Sequence, residues 1–270
     1  VMPVLHPFDA AIALDSVSTG LVHGCTRPDW AHVVGPFGGL TAAIMLRAIE
    51  IQPDRRGEPV ALTVNFAAPV TDGDFDVLVE SPRTNRTNQH WIGQLRQDGQ
   101  TRTTATALFG LRRDTWADTE RQAPVVPTPE QVGAQETSDF APWLRNYDMR
   151  IVEGPAPIRV EQARSESTTT LWVRDSRERP LDHAALAALC DVFYPRVFLR
   201  RGGIVPAGTV SLTTFFHADD QQLQMVGEDF LLGSACASRF GGGYFDQSAA
   251  LWSRGGALLA MSHQIVHFKG

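Results

Sequence analysis

Cysteine is scarce in this 270-residue chain. Its three cysteines, Cys25, Cys190 and Cys236, lie far apart and form no CxxC pair. That excludes a disulfide framework or a cysteine-built zinc module and makes reduced thiols and a cytoplasmic location the expectation. No run of about 18 apolar residues occurs, so no membrane-spanning helix is expected. A basic segment followed by an apolar one is also missing, so no signal peptide is expected. Basic residues fall short of acidic ones, 24 against 30, with no concentrated Lys/Arg run. Nucleic acid is therefore a poor partner. The sequence has no Gly-x-Ser-x-Gly, no P-loop and no dinucleotide fingerprint, which speaks against serine α/β-hydrolases and nucleotide-dependent enzymes. Histidines are scattered. His263 and His267 share a strand face but lie about 13 Å apart at strand rise, too far to hold one metal, and no metal site is expected.

What the chain does contain is two short, strongly apolar helical stretches. Asp182 suits an N-cap before His183-Ala184-Ala185-Leu186-Ala187-Ala188-Leu189-Cys190-Asp191-Val192-Phe193. On a helical wheel Leu186, Leu189 and Phe193 line one side, and Ala184, Ala187 and Ala188 the other, with Asp191 over the alanines. A helix apolar all round is buried, so Asp191 is expected to be a buried carboxylate late in the helix. Such a group needs polar partners or a shifted pKa; the alternative is that the helix is less buried than it looks and Asp191 lies on a solvated alanine face. The other stretch, Leu40 to Ile49, follows Gly35-Pro36-Phe37-Gly38-Gly39 and ends before Pro53 and Gly57.

Around these helices the chain repeats. Val17 to Arg27 reads as a strand, and Leu40 to Ile49 as a helix. Strands then follow at Pro59–Ala68, Phe75–Pro82, Thr87–Gln97 and Thr101–Arg112, with Asp72-Gly73 and Asp98-Gly99 as turn signals. Asp114 to Pro142 is rich in proline and polar residues and reads as a surface linker with room for one helical turn. Beyond it come strands at Tyr147–Glu153 and Thr168–Arg174 and the Asp182 helix. Four more strands are expected at Gly208–His217, Met225–Ser238, Gly243–Ser253 and Ala257–Phe268. Phe66 matches Phe216, and the turn at Gly99 matches that at Gly255. A duplicated unit accounts for this, and a long apolar helix followed by a meander suggests an antiparallel sheet wrapped around it. The units span 1–113 and 146–270, joined by 114–145.

Duplicated halves share a core, so polar residues present in one half alone mark a job gained. Counting from the matched phenylalanines puts Thr209 opposite Pro59; counting from the matched turns puts Gln264 opposite Leu108. The first helix has no acid, whereas the second has Asp191. Gln264 shares a strand face with Leu258, Ala260, Val266 and Phe268 and is expected to be buried and hydrogen-bonded. Thr209 shares a face with Ser211 and Thr213 and could equally be an ordinary, wet strand threonine. If the three side chains converge on one water, the carboxylate can take its proton while amide and hydroxyl orient it. Gly38 and Gly39 open a helix whose N–H groups suit an oxyanion or a phosphate, or serve only the turn. Cys190 reads as a core residue.

At these residues the sequence resembles the type II, TesB-like acyl-CoA thioesterases. The signatures are Phe37-Gly38-Gly39, Thr63-Val64-Asn65-Phe66 with Pro69, Gln97-Asp98-Gly99, Tyr147 to Glu153 and Leu171-Trp172-Val173-Arg174. The resemblance implies an α+β double hot-dog fold and hydrolysis of acyl-CoA to free acid and CoA, without a cofactor other than the substrate's own CoA. It places the family's catalytic Asp, Thr and Gln on Asp191, Thr209 and Gln264, with Gly38 and Gly39 toward the substrate. It also implies a homo-oligomer, dimer or tetramer, with no nucleic-acid or membrane partner, in fatty acid metabolism. Three positions depart from the family pattern: Ser211-Leu212 stands for an Asp-His pair, Ile265-Val266 for Glu-Gly, and Gly241-Gly242-Gly243 for Gly-Arg-Gly. The competing readings are a hot-dog acyl-CoA hydratase or dehydratase, which wants an Asp–His pair, and an acyl-CoA binding module without turnover.

Overall fold

The computed structural model describes residues 5–135, 141–156 and 160–270. Twelve strands form one antiparallel path in the order β1-β2-β4-β5-β6-β3-β9-β13-β12-β10-β8-β7. The first six are β1 (Asp15–Ser18), β2 (Leu21–Cys25), β3 (Glu58–Phe66), β4 (Asp74–Thr84), β5 (Asn88–Gln97) and β6 (Gln100–Gly110). The others are β7 (Tyr147–Glu153), β8 (Thr169–Asp175), β9 (Ala207–Phe216), β10 (Leu231–Cys236), β12 (Tyr244–Ser253) and β13 (Leu258–Phe268), with the two-residue β11 (Phe240–Gly241) beside β12. The sheet wraps around two helices packed on each other, α2 (Gly38–Glu50) and α3 (His183–Leu189). This is the double hot-dog arrangement. Short helices α1 (Pro7–Ala11), α4 (Val197–Arg201) and α5 (Asp220–Val226) lie around it.

The strand path reads as two six-strand halves meeting at β3 and β9. Thr63 sits directly opposite Thr213, and their hydroxyls are 2.9 Å apart. These two threonines are related by the same offset that matches Phe66 with Phe216, so the halves meet on a local two-fold axis. Each half also carries a bulge at the equivalent place. In β3 it falls between Pro59 and Ala61, and in β9 between Thr209 and Ser211. A bulge switches the face of every residue beyond it. Thr209 therefore leaves the face of Ser211 and Thr213 and turns inward, opposite buried Val266. The simple alternation expected from sequence fails there for that reason.

Four further expectations are corrected. Val17 to Arg27 is not one strand: Gly20, with φ at 79°, turns it into the β1–β2 hairpin. Met225 belongs to α5, capped by Asp219, and the following strand starts only at Leu231. The Asp182 helix is capped as expected, Asp182 accepting from the Ala185 N–H at 2.8 Å, but it ends at Leu189. Asp191 therefore sits in the turn beyond the helix. Finally, the β12–β13 hairpin closes through one more residue than the Asp98-Gly99 turn, because Ser253 and Ala257 flank three residues. Gln264 faces Leu212 just as Ala107 faces Leu62, so its counterpart is Ala107, not Leu108.

The core fills the space between sheet and helices. Leu40, Met45, Leu46 and Ile49 of α2 and Leu186 and Leu189 of α3 are fully buried against it. The helices approach closely because the contact uses small residues: a Cβ on Gly39 would lie 2.4 Å from the Ala188 carbonyl oxygen. The linker includes a short 3-10 turn at Pro129–Gln131 and crosses the outer face of the second half. There Ala123, Val126 and Val132 cover Trp172, Phe230, Leu232 and Trp252. The two tryptophan N–H groups donate to linker carbonyls, Trp172 to Pro127 at 2.9 Å and Trp252 to Arg121 at 3.3 Å.

Candidate active site

The structure brings Asp191, Thr209 and Gln264 together as a hydrogen-bonded chain. The Thr209 hydroxyl donates to Gln264 Oε1 at 2.9 Å. Gln264 Nε2 donates to Asp191 Oδ1 at 2.8 Å. Three elements place them: bulged β9, the adjacent β13 and the turn after α3. Gln264 is buried, while Thr209 and Asp191 keep part of their surface open. The ionised carboxylate can only accept, so Gln264 turns its N–H group to Asp191 and its oxygen to the Thr209 hydroxyl.

Gly38 and Gly39 complete the group from the other half. The Gly39 backbone N–H faces the Asp191 carboxylate and favours its charged form. Gly38 lies so close that a Cβ there would be 2.7 Å from Asp191 Oδ2. No side chain of its own caps α2, whose N-cap is Phe37. Asp191 fills that role across the two-fold axis, where the positive end of the helix favours a carboxylate. Gly39 is thus engaged with Asp191, and Gly38 leaves the clearance the carboxylate needs.

Burial pushes the Asp191 carboxyl up to about 7, although Gln264 and the Gly39 N–H both pull it down. The carboxylate lies deep among protein atoms even though the residue has a solvent-facing part. A carboxyl poised near neutrality can accept a proton in one step and return it in the next. Next to it, Cys190 is 1% exposed, and burial drives its thiol up to about 12, which makes it a packing residue and not a nucleophile.

The turn carrying Asp191 is tied to the sheet at successive points. Ser262 Oγ donates to the Cys190 carbonyl at 3.1 Å. Gln247 Nε2 donates to the Phe193 carbonyl at 3.2 Å. Arg196, whose Nε donates to the Tyr194 carbonyl at 2.9 Å, reaches β8 through Nη1, which donates to Thr169 Oγ1 at 2.6 Å. Sequence reasoning missed Gln247 and Ser262; the signal available for Gln247 was its apolar counterpart in the first half.

Other polar groupings lie away from this site. Glu58, His183 and Asp220 bring possible metal-ligating atoms within 4.8 Å of one another. Arg112 Nε already stands 3.7 Å from Glu58 and supplies countercharge there. Two surface clefts also lie elsewhere. One of about 360 Å³ is lined by Asp9, Arg179, Asp182 and Asp220, and another of about 270 Å³ by Met225, Arg254 and neighbours. Neither includes Asp191, so the converging polar chemistry, not cleft size, locates the site.

Comparison with known proteins gives the family and the fold. Residues 26–110 match the family model described as the acyl-CoA thioesterase N-terminal domain, and residues 120–268 match the acyl-CoA thioesterase C-terminal domain. The chain belongs to this acyl-CoA thioesterase family. Among solved structures it is similar to a conserved hot-dog protein of unknown function from Alicyclobacillus acidocaldarius, at 44% identity and a TM-score of 0.94 over 99% of each chain. It shares its fold with a thioesterase II candidate from Thermobifida fusca, at 21% identity and a TM-score of 0.83 over 98% of each chain. It also shares it with the tesB protein of Mycobacterium avium subs paratuberculosis, at 20% identity and a TM-score of 0.77 over 97% of this chain and 98% of that one. Among curated proteins no match is found.

Proposed function

We propose that the chain hydrolyses acyl-CoA thioesters to a free carboxylic acid and CoA through a water activated by Asp191. The observation that carries this is the Thr209–Gln264–Asp191 chain joined to the N-terminus of α2. The water oxygen attacks the thioester carbonyl carbon while its proton passes to the Asp191 carboxylate. Gln264 and Thr209 hold the carboxylate and the water in line. The first turn of α2 presents backbone N–H groups toward the same place and offsets negative charge developing on the carbonyl oxygen. When the tetrahedral intermediate collapses, the carbon–sulfur bond breaks and the proton held by Asp191 passes to the departing CoA sulfur. No covalent enzyme intermediate, metal or redox cofactor is required. CoA enters as part of the substrate, and we expect the enzyme to act as a cytoplasmic homo-oligomer.

Hydration of an enoyl thioester would call for an Asp–His pair. The partners of Asp191 are Gln264 and Gly39, whereas exposed His263 faces Asp246 at 3.8 Å. The test is thiol release from a series of saturated acyl-CoAs of increasing chain length. Steady, enzyme-dependent release that Asp191→Asn abolishes is the expected result. An intact thioester throughout refutes hydrolysis, and tight binding without release turns the protein into an acyl-CoA carrier.

A further inference from the structure

The comparison of halves that singles out Thr209 and Gln264 singles out one more residue. Gln247 on β12 pairs with Gln264 on β13, as Trp91 on β5 pairs with Ala107 on β6. Gln247 and Trp91 are therefore equivalent, and both are buried, at 2% and 3% exposed. One half fills the position with an aromatic ring; the other buries an amide there. Paired strand residues point to the same face, so Gln264 and Gln247 stand side by side on β13 and β12, with Thr209 of bulged β9 reaching Gln264 through its hydroxyl.

Gln247 touches the catalytic turn directly. Its Nε2 donates to the Phe193 carbonyl, two residues beyond Asp191. The turn also packs on the neighbouring strand β10. The Phe193 ring lies against Gly233, where a Cβ would be 2.7 Å from the ring. The other polar atom of Gln247, Oε1, is buried without a hydrogen-bond partner among the described residues. Trp91 Nε1 at the equivalent place is also buried without a partner among the described residues, so what sets Gln247 apart is that its amide holds the turn after α3 through the Phe193 carbonyl while leaving an acceptor free.

We infer that Gln247 is a positioning residue for Asp191. It fixes the turn beyond α3 through the Phe193 carbonyl, and its Oε1 is the acceptor for a hydrogen carried by the substrate or its attacking water. The inference deepens the hydrolysis reading and rests on it for the role of Oε1. The anchoring of the turn does not depend on turnover.

Two variants test it. Gln247→Met keeps the volume and removes both polar atoms. Gln247→Glu keeps an acceptor, loses the donor to Phe193 and puts a carboxyl next to Gln264, the residue that bonds Asp191. Gln247→Met should lower kcat by about 10- to 100-fold with KM changed less than about threefold, the signature of lost transition-state positioning. Gln247→Glu should move the acid limb of kcat/KM upward by about one pH unit, because a neighbouring like charge disfavours the Asp191 carboxylate. The Asp191 carboxyl titration, followed by carbon-13 NMR in the same variant, should move the same way whether or not thioester is cleaved. Wild-type kcat in Gln247→Met overturns the inference, as does an unmoved Asp191 titration in Gln247→Glu. So does an activity loss that only tracks a loss of folded protein. A wild-type chain that releases no thiol, while the Asp191 titration still moves in Gln247→Glu, defeats hydrolysis and leaves the anchoring intact.

Discussion

Replacing Asp191 with Asn should abolish activity and, above neutral pH, make the protein more stable. The carboxyl is held at about 7 in the folded chain against an ordinary value of 3.8. Below about pH 4 it is protonated folded or unfolded and contributes nothing. As the pH rises from about 4 to about 7 the unfolded chain gives up this proton while the folded chain keeps it, so stability falls. Above about 7 the loss is complete. A shift of roughly three pH units at about 1.4 kcal/mol each sets the loss at about 4 kcal/mol. Asn retains the bond from Gln264 but sets an amide N–H against Gly39 or forgoes that contact, returning about 1 kcal/mol. The solvent-facing part of Asp191 reduces the total further, so the net gain for the variant above pH 8 is about 2 kcal/mol. Urea unfolding of both proteins at pH 5 and pH 8.5 measures it. Taking the difference between variants cancels Glu50 and Asp175, which burial also pushes up to about 7. The advantage of Asn should grow with pH and level off, while thiol release is lost at every pH. An equal difference at both pH values, or a less stable variant at pH 8.5, would show that Asp191 is not a strained carboxyl and would remove the reason for assigning it the proton.

The two glycines should separate function from stability. Gly38→Ala places its methyl 2.7 Å from Asp191 Oδ2. It should lower kcat by about tenfold or more by displacing the carboxylate, with a melting temperature within a few degrees of wild type. Gly39→Ala meets the Ala188 carbonyl at 2.4 Å. It should force α2 and α3 apart and destabilise the fold by about 1–3 kcal/mol in thermal unfolding, the range for overpacked cores. Thr209→Val removes the hydroxyl that orients Gln264 and should lower kcat by about fivefold, in line with one lost hydrogen bond of about 1 kcal/mol. Steady-state kinetics with unchanged circular dichroism would check it.

Much of this was legible in the sequence because the scaffold is written twice. Phe66 and Phe216 fix the register well enough that Thr63 and Thr213 meet across the local two-fold axis. Apolar helices, turn glycines and alternating strands supply the rest by local rules. What escaped are features set by the chain's partners. The bulge that turns Thr209 inward leaves no mark in alternation, because the residues on both sides are small and polar. The end of α3 at Leu189 is invisible in a run that stays helix-friendly through Cys190. The extra residue in the β12–β13 hairpin displaced Gln264 from Ala107 to Leu108 in a count made across the turn. Gln247 shows only once the strand pairing is known, because its equivalence to Trp91 follows from the register of β12 on β13 and of β5 on β6.

The placement of the site explains why one half carries it. The two central helices are equivalent, yet their N-termini are satisfied differently. α3 is closed by its own Asp182, which accepts from Ala185 and is itself held by Arg179. α2 begins at Phe37 with no side-chain cap and receives Asp191 from the opposite half. A single unit pairing with an identical copy would have to build both ends alike, giving two half-buried carboxylates or none. Once the units were fused, one helix end could be sealed for stability while the other was left to a carboxylate from across the axis. The counterparts of Thr209, Gln264 and Gln247 could then become Pro59, Ala107 and Trp91, returning the first half to apolar packing. At Asp191 the same desolvation that weakens the fold holds the carboxyl at about 7, the value the proposed proton transfer calls for.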